Sequence, residues 1–495
     1  MSDIENNNEV NPADELVHRR NRLDMWREAG IDPYGCRYDD AAYTADLKAE
    51  FKDDCEDEQP AKVAGRIIAK RGMGKVVFMT LQDPTGTIQL FGQKNSLGEN
   101  FGLFSKIDIG DIIGIEGRLF RTQKGEITIR DFEFTLLSKA LKPLPEKWNG
   151  LKDIETRYRN RYLDLISNEE SRDTLIKRSQ IVREIRRFLE SQGYMEVETP
   201  MMHPIAGGAA ARPFITHYNA LDQQMYMRIA TELYLKQLLV GGFNKVFELN
   251  RNFRNEGLSK QHNPEFTALE VYQAFGNCET MMDLIEGMIR HCAQTVIGTL
   301  KIKHSEEKTI DLESPWRRVN YEDLVKEKAG DNWFDLDKAG MIARAHELGA
   351  HADADMDAVQ ITQEVYDLIE PTLIQPTFVM RLHKELVPLA KRCIDRPDLV
   401  DVYELVIDGK EISPGYTELN DPIDQRQRLE EQLERTLGTE EEESGKIDEQ
   451  FLDALEHGMP PAGGLGLGVD RLCMLLTGAP TIRDIILFPQ LKNKN

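Results

Sequence analysis

Within Val246–Phe275, VFELNRNFRNEGLSKQHNPEFTALEVYQAF, polar and aromatic residues recur at alternate positions of two runs joined by a polar turn. Side chains alternate between faces along a strand, so Asn252, Arg254 and Glu256 share one face of the first run. Phe266, Ala268, Glu270 and Tyr272 share one face of the returning run. A surface of arginine, aromatic ring, small residue and carboxylates suits an anionic, planar ligand that has a cationic partner. Hairpins that only face solvent rarely gather such a set.

Two further segments carry chemistry. GGLGLGVDRLCMLL sets Gly464, Gly466 and Gly468 at alternate positions, leaving one strand face bare for a ligand or another backbone. Asp470 and Arg471 then open an apolar helix, and an arginine at that junction can bind phosphate and stack over an aromatic base. In Asp401–Asp421, Asp408-Gly409 is a strong two-residue hairpin turn that puts Val406 opposite Glu411 and leaves Glu404 and Glu411 diagonal on one face. Such a carboxylate pair could hold magnesium when a triphosphate supplies the other oxygens. Pro414 and Gly415 are expected to interrupt the strand, after which Tyr416 and Glu418 again share a face.

These residues need elements to position them. Leu175, Ile181, Val182, Ile185, Phe188 and Leu189 form an apolar stripe that predicts a helix over Thr174–Gln192, capped by Gly193. Earlier in the chain, KVAGRIIAK, KVVFMTLQD, TIQLF, DIIGIEGRLF and GEITIRDFEF are short β-rich runs between glycine-containing turns, which match a small OB-type barrel. Residues Met1–Asp14 are polar, and Glu15–Gly30 has helical spacing. Pro143 and Pro145 mark a linker. The basic segment Lys139–Arg161 reads as a solvated linker or an RNA contact, and the acidic run Thr439–Gln450 as a solvated loop or helix start.

The chain of 495 residues is too long for one core, and its formal charge of -23 argues against a general basic grip on nucleic acid without excluding local contacts. It has no apolar stretch long enough for a membrane span and no signal-peptide pattern at its start, so the cytoplasm is the expected compartment. The six cysteines lack CxxC or CxxH spacing, so neither a disulfide framework nor a zinc site is expected.

The motifs resemble those of the class II aminoacyl-tRNA synthetases, subclass IIb, and most closely the lysine-activating members of bacterial type. GYMEVETPMM with Pro200 looks like the family's first motif, FRNEGLSKQHNPEF its second and GLGLGVDR its third. The resemblance covers almost the whole chain. It implies an α+β architecture: an N-terminal tail and helix over residues 1–55, an OB-fold anticodon-binding barrel over 56–142, a linker over 143–160, and over 161–495 a catalytic domain built on an antiparallel sheet flanked by helices, with a helical insertion at about 284–374. It also implies a homodimer formed through the first motif around Pro200.

Carried over by motif, the resemblance implies that Arg254 holds the α-phosphate of ATP, Phe266 stacks on adenine, and Arg471 covers its other face and reaches the γ-phosphate. Glu256, His262, Asn263, Glu411 and Gly468 would line the nucleotide site, and Glu404 with Glu411 would hold Mg²⁺. Gly208 and Glu232 would meet the α-amino group of L-lysine, and Glu270, Tyr272, Tyr416 and Glu418 would surround its side chain. An ammonium out of water needs such anionic and hydroxyl partners, whereas glutamates there would repel an aspartate. Phe78 and Gln89 would read the central uridine of the tRNA(Lys) anticodon and Glu126 a further base, although alternation alone does not decide whether Phe78 faces core or solvent.

Three positions depart from the family pattern: Pro414 stands where Asn is usual, Thr231 where Pro is usual and Val387 where Ser is usual. None removes a charged group. The competing readings are a paralogue of altered specificity or one that lysylates a protein, and an inactive RNA-binding regulator. Relatives that lysylate a protein usually lack the barrel, and an inactive regulator would be expected to have lost Arg254, Arg471 or the paired glutamates.

Overall fold

The computed structural model describes residues 12–35, 37–53, 59–145, 151, 153–209, 211–304, 308–436 and 447–492. Cys36, Cys55, the first eleven residues of the polar tail and most of the acidic run lie outside them. The chain divides into two compact units, Met1–Lys152 and Asp153–Asn495.

In the first unit, β1 (Gln59–Met73), β2 (Val76–Gln82), β3 (Thr87–Gln93), β4 (Ile112–Arg121) and β5 (Ile127–Ser138) close a barrel in the order β1-β2-β3-β5-β4. The period-two pattern decides the interior: Val77, Met79 and Leu81 of β2 and Ile88 and Leu90 of β3 point into an apolar core. Helix Pro12–Glu28 adds the fully buried Trp26 to that core. Lys139, read from sequence as part of a basic solvated or RNA-facing segment, is buried instead, with its ammonium 2.8 Å from both Asp108 and Asp111. Composition signalled charge but not the two aspartates that fold back onto it. Residues 146–150 and 152 of that segment lie outside the described residues.

The second unit is built on an eight-stranded sheet in the order Arg317–Asn320, Thr377–Met380, Val402–Ile407, Lys410–Thr417, Ala462–Gly468, Glu265–Ala274, Lys245–Phe253, Met195–Glu196. Neighbours run antiparallel except for the pair at each edge. One face, carrying Phe247, Leu249, Leu269, Val271, Leu465 and Leu467, packs on helices Glu169–Ser191, Cys278–Cys292 and Val469–Thr477. The stripe read from sequence supplies Ile181, Ile185 and Leu189 to this layer, and Gly193 ends the helix turn with φ +80°. Because faces alternate, the residues between these core positions emerge on the opposite side, where the site lies. Arg161, the other end of the basic segment, is buried and donates to the carbonyls of Arg483, Ile486 and Leu487.

Two local expectations change. Pro414 does not interrupt its strand, which runs unbroken over Lys410–Thr417. A bulge at Leu405/Val406 shifts the register so that Pro414 faces Glu404, and pairing with Ala462–Gly468 begins only at Gly415, so the missing N–H costs no ladder bond on that side. The stretch expected as a helical insertion does hold helices Tyr321–Ala329, Lys338–Leu348 and Ala358–Asp367, but its strand Arg317–Asn320 joins the edge of the main sheet. No helix among the described residues is long and apolar enough to cross a membrane.

Candidate active site

Hairpin strands Lys245–Phe253 and Glu265–Ala274 pair in the register that sets Asn252 opposite Phe266. On its other edge, the second of these strands pairs Ala268 with Gly468, Glu270 with Gly466 and Tyr272 with Gly464. The glycine repeat therefore lies against Ala268, Glu270 and Tyr272, and the room it leaves is needed there. A Cβ at Gly464 would overlap Glu418 Oε1 and come within 2.6 Å of the Tyr272 ring.

These strands floor a cavity of about 400 Å³. Of the residues singled out from sequence, it brings together Gly208, Glu232, Arg254, Glu256, His262, Asn263, Phe266, Glu270, Tyr272, Glu411, Tyr416, Gly468 and Arg471. At one end Arg254 lies over the Phe266 ring, 5.2 Å from its centroid, and its buried Nε has no hydrogen-bond partner among the described residues. A buried donor without an acceptor marks a place for an anion. Arg471 donates through Nη1 to the carbonyl of Glu411 at 2.7 Å, and its Nη2 is 3.2 Å from His262 Nε2. Burial and the Arg471 charge hold His262 below its ordinary pKa, which suits a neutral ring accepting from that guanidinium. Asn263 is buried and donates to the carbonyl of Glu265 at 2.6 Å, while Glu256 is exposed on the loop.

The other end is acidic. Glu270 accepts from the Thr231 N–H at 2.9 Å and from the Tyr272 hydroxyl at 3.3 Å. Burial, with Glu232 nearby, pushes its carboxyl up to about 7. Glu418 does not line this cavity. It is fully buried with Oε2 2.6 Å from the ammonium of Lys236, which also donates to Glu232 at 2.6 Å. Sequence reasoning missed Lys236, although the i,i+4 spacing of Glu232 and Lys236 in ELYLK was visible. It also missed what Asp470 does: this buried carboxylate accepts from the Thr267 N–H at 2.8 Å and from Arg178 at 2.9 Å, fixing the backbone between Phe266 and Ala268.

The Asp408-Gly409 turn forms as read, with φ 60° and 65°, and Val406 faces Glu411. Glu411 lines the main cavity and a second one of about 300 Å³ beside it, whereas Glu404 lines only the second. Among the described residues neither carboxylate forms an ion pair with a protein cation. Burial and the neighbouring Glu411, Glu370 and Asp367 push Glu404 well above the carboxylate range. Acidic oxygens left without a cation are a donor set that fits Mg²⁺.

On the barrel unit, Phe78 points outward, opposite in parity to the core residues Val77 and Met79. Its ring lies 4.9 Å from that of Phe91, which lies 6.0 Å from Phe120, while Arg71 sits over Phe78 and Arg130 over Phe120. Gln89, two residues before Phe91 on the same face, accepts from the Thr128 hydroxyl at 3.3 Å. Glu126 is exposed at the β4–β5 turn. Phe91 shares its face with Gln89 on β3, whereas Phe120 joins the ladder from β4.

Residues 153–492 match the family model for class II tRNA synthetases (D, K and N), and residues 61–137 match that for the OB-fold nucleic acid binding domain. The chain belongs to the class II tRNA synthetases. Within this family it is 51% identical over 488 residues to a lysine-tRNA ligase of Carboxydothermus hydrogenoformans, covering 97% of this chain and 99% of that relative. Lysine-tRNA ligases of Staphylococcus haemolyticus and Staphylococcus aureus are 49% and 48% identical over the same shares of the two chains. The class II catalytic sheet and the OB barrel thus stand in one synthetase chain, in the order expected from its motifs.

Proposed function

We propose that this synthetase activates L-lysine with ATP and transfers it to the 3′ end of tRNA(Lys). The observation that carries the reading is the polarity of the main cavity, with Arg254 over Phe266 and Arg471 at one end and Glu232, Glu270 and two tyrosines at the other. A lysine carboxylate oxygen attacks the α-phosphorus of ATP, and the bond to the departing pyrophosphate breaks. The terminal ribose hydroxyl of the tRNA then attacks the lysyl carbonyl, and AMP leaves. Arg254, with its free Nε, meets the α-phosphate, Phe266 stacks on adenine, and Arg471 with His262 meets the outer phosphates. Asn263, Glu256 and Gly468 complete the nucleotide's surroundings. Glu411 and Glu404 would hold Mg²⁺, which supplies charge neutralisation for the triphosphate. The protein's work is positioning and electrostatics, and no side-chain nucleophile is needed.

The outward ladder of Phe78, Phe91 and Phe120, flanked by Arg71 and Arg130, supports anticodon binding, since exposed rings and guanidinium planes stack unpaired bases. Gln89 and Glu126 would add base contacts. Exposed Met195, Met201, Met202 and Ile215 around Pro200 support a homodimer through this face. We place the enzyme in the cytoplasm. Pyrophosphate exchange into ATP with each of the twenty amino acids, with Mg²⁺ present and tRNA absent, tests the reading. Exchange with lysine alone is expected, and exchange with another amino acid instead would overturn the pocket assignment.

A further inference from the structure

Lys236 lies on helix Glu232–Val240 with none of its surface exposed, an unusual place for an ammonium. Its Nζ is 2.6 Å from Glu232 Oε1 and 2.6 Å from Glu418 Oε2, so one nitrogen clamps two carboxylates that come from different elements. Those two oxygens can be no farther apart than twice that distance. Glu232 lines the cavity on the Gly208 side. Among the described residues both oxygens of Glu418 are buried without a hydrogen-bond partner; Oε2 has the ion pair with Lys236, and Oε1 has no ion pair either. The bare Cα of Gly464 gives this oxygen its room, and the cavity-lining ring of Tyr272 packs beside it.

We propose that Lys236 is a positioning residue that sets the chain length of the amino acid accepted. The proposal rests on the lysine-activating reading above. By holding one oxygen of Glu232, which lines the cavity, and one oxygen of Glu418, which lies just behind the cavity-lining Tyr272 ring, Lys236 fixes the span between the two carboxylates that the α-amino and side-chain ammonium groups would approach. Charge agrees with this arrangement. Glu232, Glu270 and Glu418 are three carboxylates, and Lys236 compensates one, leaving a pocket matched to the two ammonium groups of a diamino acid. Without the internal ammonium, Glu232 and Glu418 would repel each other and lose their fixed separation.

The test compares wild type with Lys236→Met and Lys236→Arg in pyrophosphate exchange, using L-lysine and L-ornithine, which is one methylene shorter. KM for lysine should rise by about tenfold or more in the Met variant. In both variants the lysine-to-ornithine ratio of kcat/KM should fall while KM for ATP stays unchanged. The Arg variant keeps the buried charge and provides the answer if the Met variant does not fold. Where exchange is too slow to read, equilibrium binding of the two amino acids gives the same ratio. An unchanged ratio, with both amino acids weakened in proportion, would overturn the proposal. Loss of ATP binding in both variants would also overturn it, making Lys236 a general core residue. Failure of the wild type to exchange with lysine would instead remove the functional reading itself.

Discussion

Arg471 Nη1 donates to the main-chain carbonyl of Glu411 at 2.7 Å, tying the helix that follows the glycine strand to the strand that carries an acidic cavity residue. The bond fixes the guanidinium while Nη2 remains beside His262 at the cavity edge. A lysine has one nitrogen and cannot hold the carbonyl and a phosphate in the same planar fork. Arg471→Lys should therefore lower kcat/KM for ATP in the exchange reaction by on the order of 100-fold. A loss of only a few-fold would show that Arg471 serves the fold rather than the nucleotide.

The two units should separate genetically. Phe78→Ala removes the end of the outward aromatic ladder but no core contact of the barrel. Stacking on one base contributes about 1–3 kcal/mol, so KM for tRNA should rise by roughly fivefold to 150-fold. Lysine-dependent exchange without tRNA should be unaffected. Glu418→Gln, in contrast, should weaken exchange and charging together. Equal loss of both activities in both variants would refute the division of labour.

Lysine affinity should depend on pH through the pocket carboxylates. Burial pushes Glu270 and Glu418 each up to about 7, with Glu232 adding repulsion at both. Only the ionised form attracts an ammonium, and the substrate ammonium keeps its own proton well above neutrality. A proton on the carboxyl therefore competes with lysine, so KM for lysine should rise roughly tenfold from about pH 8 to about pH 6. ATP binding, which does not touch these groups, provides the control. A KM for lysine that stays flat across this range would count against ammonium recognition by Glu270 and Glu418.

Period-two alternation made much of this legible. It put Phe266, Ala268, Glu270 and Tyr272 on one face and set the Asp408-Gly409 register, because both depend only on local geometry. It could not reveal that Glu418 is engaged by Lys236, since the two lie far apart in sequence and meet only through packing of helix Glu232–Val240 against the sheet. The bulge that lets Pro414 stay within its strand was hidden for a similar reason: a one-residue register shift depends on both partner strands. The barrel's outward face was half legible, because Phe91 shares Gln89's parity within one strand whereas Phe120 joins the ladder only through the closing of the barrel.

The glycine repeat gives a graded prediction. Pairing puts Gly464 opposite Tyr272 and Gly466 opposite Glu270, yet the space above the two differs. A methyl at Gly464 would overlap Glu418 Oε1 and the Tyr272 ring, both held in a packed layer. A methyl at Gly466 would meet only Pro414, at 3.6 Å, and would project into the cavity floor. Gly464→Ala should therefore destabilise the catalytic unit by about 1–3 kcal/mol, the usual cost of overfilling a packed site, and raise KM for lysine by displacing Glu418. Gly466→Ala should leave thermal stability near wild type and act on catalysis alone, because the added carbon makes only an ordinary contact with Pro414 and would otherwise meet a bound substrate. Thermal unfolding of both variants alongside exchange kinetics separates the two effects. If Gly466→Ala lost the greater stability, the bare face would be serving sheet packing rather than ligand room.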